Sequence, residues 1–124
     1  MAGETILIVD DAPMNLQLAG AILKREGYQI HTAEDGRQAL DMLQSSRPDL
    51  ILSDIQMPGM DGLEMTRIIK QDSRWAGIPV IAWTAYASQV NELQAIEAGF
   101  DDYLTKPVDV QTLRSRIRTH LGRR

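Results

Sequence analysis

Five short apolar runs, each followed by a stretch with helical spacing, constrain what this chain can fold into. Ile6-Leu7-Ile8-Val9, Leu50-Ile51-Leu52 and Val80-Ile81-Ala82-Trp83 are continuous and rich in branched side chains. Strands read this way when both faces of a parallel sheet are covered. Tyr28-Gln29-Ile30-His31-Thr32 and Tyr103-Leu104-Thr105 are more polar and suit the sheet edges. The stretches between them carry helix signals. Pro13 suits a first turn and Gly27 a stop, with Leu16, Ala19, Ile22 and Leu23 on the apolar face. Gly36, Ala39, Leu40 and Leu43 fall on one face of a second helix. Asp61 can cap a third that turns Met65, Ile68 and Ile69 inward. A fourth begins near Ser88, carries Val90 and Leu93, ends before Gly99, and has the thinnest apolar face. Val110, Leu113, Ile117 and Leu121 make the stripe of a fifth. Strand then helix, five times over, demands right-handed crossovers and a parallel sheet with helices on both faces.

The 124 residues suit one domain spanning the whole chain, 1–124, with no linker or low-complexity segment. The absence of cysteine excludes a disulfide framework, a thiolate zinc site and a cysteine nucleophile. Thirteen basic against seventeen acidic residues give a net charge of −4, which argues against nucleic-acid binding. No apolar run is long enough to span a bilayer, and Met1-Ala2-Gly3-Glu4-Thr5 lacks the basic start of a signal segment. The expected location is the cytoplasm, with no membrane partner. After Asp109 there is no acid, while Arg114, Arg116, Arg118, Arg123 and Arg124 crowd the end. That tail reads as a helix end complementing the dipole, or as a docking face for an acidic partner.

The polar residues that interrupt the apolar runs collect at one end of the strands. Asp10 and Asp11 follow the first run, Asp54 the third, Thr84 the fourth and Lys106 the fifth. In open α/β sheets the ligand crevice lies outside the carboxyl ends of the strands. Asp10 and Asp11 could serve only as caps of the first helix. Yet three carboxylates in one crevice either raise a pKa or hold a cation, and oxygen-only ligands point to Mg²⁺.

Asp54 precedes Ile55-Gln56-Met57-Pro58-Gly59-Met60-Asp61-Gly62, whose Pro-Gly and Asp-Gly pairs mark a tight loop. A carboxylate at a strand tip beside such a loop is open to a reactive partner and can form an acyl phosphate when a metal neutralises the incoming group. Lys106 supplies a compact charge and Thr84 a hydroxyl, both suited to phosphoryl oxygens.

Ile8-Val9-Asp10-Asp11, the Asp54–Gly62 segment, Thr84-Ala85, and Gly99-Phe100-Asp101-Asp102-Tyr103-Leu104-Thr105-Lys106-Pro107 occur in this order over essentially the whole chain. In this the sequence resembles a two-component response-regulator receiver domain. The resemblance implies a flavodoxin-like (βα)5 fold with strand order 2-1-3-4-5. It implies that Asp54 accepts a phosphoryl group from a phosphohistidine on a sensor histidine kinase or histidine phosphotransfer protein. Asp11, Asp54 and the backbone carbonyl of Gln56 would ligate Mg²⁺, with Asp10 acting through water. Lys106 would pair with the phosphoryl group, Thr84 would move to hydrogen-bond it, and the N–H groups of Ile55 and Ala85 would take other oxygens. Tyr103 matches the aromatic that turns inward when the threonine moves, and the Lys106–Pro107 bond would be cis. The resemblance further implies a switched surface on the fourth helix, last strand and fifth helix that meets a downstream protein, and leaves room for a phosphorylation-dependent dimer. Such a domain is not an enzyme beyond its own phosphorylation and dephosphorylation.

Two rivals share parts of this pattern. An aspartate-nucleophile phosphatase carries a second Asp two positions after the nucleophile, where this chain has Gln56. A flavodoxin would place its FMN phosphate where Asp10 and Asp11 repel it. A receiver that docks partners without phosphorylation is the remaining alternative. The chain ends at the fifth helix, which fits a single-domain regulator, a phosphorelay shuttle or a receiver from a hybrid kinase. Val108 stands where the transcription-factor subgroup has Phe, which leans away from a DNA-binding parent. Trp83 is large for its position, Gln56 and Tyr86 are expected to affect how fast the acyl phosphate hydrolyses, and His31 and His120 have no evident partners.

Overall fold

In the computed structural model, the strands are β1 (Thr5–Val9), β2 (Gln29–Ala33), β3 (Leu50–Ser53), β4 (Val80–Thr84) and β5 (Asp102–Thr105). The helices α1 (Pro13–Lys24), α2 (Gly36–Leu43), α3 (Gly62–Gln71), α4 (Gln89–Ala98) and α5 (Val110–Leu121) alternate with them. Residues 3–85, 89–106 and 109–122 are described, 89 and 90 by backbone only. Tyr86, Ser88, Pro107, Val108, Arg123 and Arg124 lie outside that set, and so do the expected cis peptide and the side chain of Val90.

All strand pairs are parallel, in the order β2-β1-β3-β4-β5. The flavodoxin-like expectation is met, and the two polar runs form the edges. Alternation along the strands sends side chains to two cores. Leu7, Val9, Ile51, Val80 and Ala82 pack under α2, α3 and α4. Ile6, Ile8, Leu50, Leu52, Ile81, Trp83 and Leu104 pack under α1 and α5. Because β1, β3 and β4 are covered on both sides, truncating Leu52 to Ala should cost about 2–5 kcal/mol.

Helix starts follow their sequence signals. Asp61 Oδ1 accepts the Glu64 N–H at 2.9 Å and caps α3, and Asp35 does the same for α2 through Gln38 N–H at 2.8 Å. Three apolar expectations are corrected. Ile68 lies at the edge of the α3 stripe and is 36% exposed, and Val110, in the first turn of α5, is 43% exposed. On α4 Leu93 and Ile96 are 62% and 60% exposed, while Ala95 and Ala98 are buried. Small residues bring α4 close to its neighbours but bury little area, so its docking is among the weaker ones in the fold.

Candidate functional site

The positions that continue the α1/α5-facing row beyond the strand ends are Asp10 after Ile6 and Ile8, Asp54 after Leu50 and Leu52, and Lys106 after Leu104. Period-2 alternation thus aims three charged side chains to the same side of the sheet. Backbone bonds fix their height: Asp54 N–H donates to Val9 O at 2.8 Å, and Lys106 N–H to Thr84 O at 2.7 Å. Lys106 Nζ lies 2.6 Å from Asp10 Oδ2 and 3.1 Å from Asp54 Oδ2.

Each carboxylate has further donors. Asp10, fully buried, accepts Ala12 N–H on Oδ1 at 2.9 Å and Asn15 Nδ2 on Oδ2 at 3.2 Å. The N-cap of α1 is Ala12, without a side-chain bond. Asp10 therefore ties down the turn before the helix instead of capping it, and Pro13 at N1 removes one of the N–H groups that would need a cap. Asp54, 8% exposed, accepts its neighbour Ile55 N–H on Oδ1 at 2.7 Å. Burial pushes the Asp54 carboxyl above its ordinary range. Lys106 opposes that shift, the Asp10 charge adds to it, and the Ile55 N–H opposes it.

Carboxylate oxygens of Asp10, Asp11 and Asp54 all come within 4.8 Å of one another, with Asp11 exposed at the mouth. Among the described residues, three carboxylates against the Lys106 ammonium leave two negative charges over, and every donor atom of the cluster is oxygen. That set fits a hard dication. An open cleft of about 420 Å³ lies over the cluster, with Asn15, Gln56, Met57, Pro58 and Ala85 in its walls.

The loop beyond Asp54 is held across its base. Gly62 N–H donates to Ile55 O at 2.8 Å. A Cβ at Gly62 would run into the carbonyl oxygen of Asp54, so only glycine allows α3 to start this close. Gly59, with φ +74°, makes the tight bend that the Pro-Gly pair announces.

Thr84 and Tyr103 take the other parity. Thr84 is fully buried, and Tyr103 packs partly buried against the α2–α4 core. The structure thus gathers Asp10, Asp11, Asp54, Gln56, Ala85 and Lys106 at the cleft and sets Thr84 and Tyr103 toward the α4 side. Asn15 is the residue that the sequence reading passed over. Its signal was its place in the first turn of α1, where a side chain leans back toward the turn before it.

The arginines of α5 are engaged within the chain. Arg114 and Arg118 reach Glu26 at 2.9 and 3.6 Å, and Arg116 reaches Asp102 at 2.7 Å. His120, expected to lack a partner, has one in Asp102.

Comparison with known proteins agrees with this geometry. The profile of the response regulator receiver domain matches residues 6–118. The response regulator PleD of Caulobacter vibrioides is 43% identical over 92% of this chain, which spans only a quarter (25%) of PleD. The polar-differentiation response regulator DivK of Brucella anthropi is 37% identical over 96% of this chain and 97% of its own length. The receiver domain of the Pseudomonas aeruginosa sensor histidine kinase PA1611, solved with a magnesium ion coordinated in its active-site cleft, superposes with a TM-score of 0.91. It is 36% identical and covered over 98% of this chain and 99% of its own. Fold, strand-end carboxylates and sequence therefore agree, and the chain belongs to the response regulator receiver domain family of two-component signalling.

Proposed function

We propose that the domain, taken as residues 1–124, accepts a phosphoryl group on Asp54 from a phosphohistidine of a sensor histidine kinase or histidine phosphotransfer protein. The observation that carries this reading is the convergence of Asp10, Asp11, Asp54 and Lys106 at one cleft, with an acid excess of two charges. An Asp54 carboxylate oxygen attacks phosphorus, the P–N bond breaks, and the imidazole nitrogen keeps the electron pair and takes a proton from water. Asp11, Asp54 and the Gln56 carbonyl would hold Mg²⁺, with Asp10 behind through water; the ion, when bound, neutralises the acids and the incoming phosphoryl oxygens.

Lys106, already bonded to Asp54 Oδ2, then meets a phosphoryl oxygen. The Ile55 N–H gives up Asp54 Oδ1 for another, and Ala85 N–H takes a third. Asn15 keeps Asp10 turned toward Lys106.

Thr84, moving toward the phosphoryl group, would make room for Tyr103 and shift the α4-β5-α5 face that meets a downstream protein, by dimerisation or otherwise. The thin anchoring of α4 suits such an element. The working place is the cytoplasm, in keeping with the absence, among the described residues, of a helix long and apolar enough to cross a membrane.

Acetyl phosphate with Mg²⁺ tests the reading by intact-mass measurement. One added phosphoryl group is expected, lost in Asp54→Asn and in the presence of EDTA. Equal labelling of that variant would place the phosphoryl group elsewhere, and a wild-type chain that takes none would leave a docking receiver that works without phosphorylation; either result overturns the reading.

A further inference from the structure

The ammonium of Lys106 has a third neighbour besides its two carboxylates: Nζ sits 4.8 Å from the centre of the Trp83 ring. The register explains the meeting. Ser53 pairs with Ala82, so one step further along the parallel strands Trp83 comes level with Asp54. Trp83 pairs with Leu104, and Lys106 lies two residues beyond Leu104 on the same face. The indole therefore forms the floor between the phosphoacceptor strand and the lysine strand. Trp83 is 5% exposed, and its Nε1–H has no hydrogen-bond partner among the described residues. An aliphatic side chain would fill this core without leaving a donor unmet. What it lacks is a π face, and a cation over such a face is attracted by the ring quadrupole.

We infer that Trp83 is a positioning residue for Lys106, holding the ammonium over Asp54 when its carboxylate partners are engaged elsewhere. This rests on the phosphoacceptor reading of Asp54. Both Asp10 Oδ2 and Asp54 Oδ2 now bind Lys106. A cation or phosphoryl group in the cleft competes for those oxygens, but a hard ion has no use for an indole face. The ring is thus the one neighbour of Nζ, among those described, that stays in place through the reaction, and it limits where the lysine stem can swing.

The test uses the whole chain, Mg²⁺ and acetyl phosphate. Trp83→Leu should slow labelling of Asp54 about five- to tenfold, while Trp83→Phe, which keeps a face, recovers most of the rate. In a Lys106→Ala background Trp83→Leu should slow the residual labelling no further. A second reading leaves Trp83 intact: in a Trp75→Phe chain, where Trp83 is the only tryptophan, Lys106→Met should shift the tryptophan fluorescence without metal or phosphodonor. Trp83→Leu labelling at the wild-type rate, an equal loss in the Lys106→Ala background, or unchanged emission overturns the inference. Failure of the wild-type chain to be labelled overturns the phosphoacceptor reading, and the role given to Trp83 with it.

Discussion

His120 Nε2 lies 3.0 Å from Asp102 Oδ2, joining the last turn of α5 to the first residue of β5. Asp102 Oδ1 also accepts the Tyr103 N–H and Arg116 Nη1, at 2.8 and 2.7 Å. Burial works against the charged form of Asp102, but the bonds from His120, Tyr103 and Arg116 outweigh it and hold the carboxyl below its usual range. A depressed carboxyl stabilises the fold above its unfolded pKa, and that contribution fades as the pH falls through the folded value. His120→Leu should cost about 1–3 kcal/mol by urea unfolding at neutral pH, because Oδ2 loses its donor. The advantage of wild type over Asp102→Asn should be full above about pH 5 and shrink toward pH 3.

Asp54 shows the opposite sign. Its carboxyl is raised above the ordinary 3.8, with burial as the leading cause. The folded protein therefore holds the proton more tightly than the unfolded chain, and stability falls as the pH rises from 3.8 through the raised value. Asp54→Asn removes that penalty. The variant should melt roughly 2–5 °C above wild type at neutral pH, with the gap closing in acid, as differential scanning calorimetry at several pH values would show. A variant that melts lower at neutral pH would contradict it.

Mg²⁺ should stabilise the unphosphorylated chain, because a ligand held only by the folded cluster shifts the unfolding equilibrium. At tenfold over its dissociation constant the gain is about 1.4 kcal/mol, or roughly 5 °C in melting temperature. Asp11→Ala should lose most of that gain, since Asp11 is the exposed member at the mouth of the cluster. A full Mg²⁺ shift in that variant would place the metal elsewhere.

Thr84→Ala should still take a phosphoryl group on Asp54, more slowly, yet fail to pass the change on. With beryllofluoride as phosphoryl mimic, amide exchange along α4 and β5 should rise or fall in wild type and stay level in the variant. Changes confined to the loops at Asp10, Asp54 and Lys106 in wild type would remove the switch.

The strand ends were legible in the sequence because polar residues close the apolar runs, Asp10 after Ile6–Val9 and Asp54 after Leu50–Leu52; that both then lie on the side of Ile8 and Leu52 is a matter of alternation. Asp61 as a cap was legible for an equally local reason. Partners far apart in the chain were not. Lys106 and Asp10 are separated by 96 positions, and their 2.6 Å contact depends on a strand order that came from family likeness. His120 with Asp102 and the indole beneath Lys106 are of this kind, and no spacing rule announces them. Leu93 was misplaced because helical spacing marks a face without saying whether anything covers it.

Trp83 and Thr84 are consecutive, so they leave β4 on opposite faces, one beneath Lys106 and the other on the Tyr103 side. Ladders to β3 on one edge and to β5 on the other hold that strand in place. The support proposed for Lys106 and the switch hydroxyl thus occupy opposite faces of one strand, so capture and transmission can be altered from different sides, Trp83 for the first and Thr84 for the second.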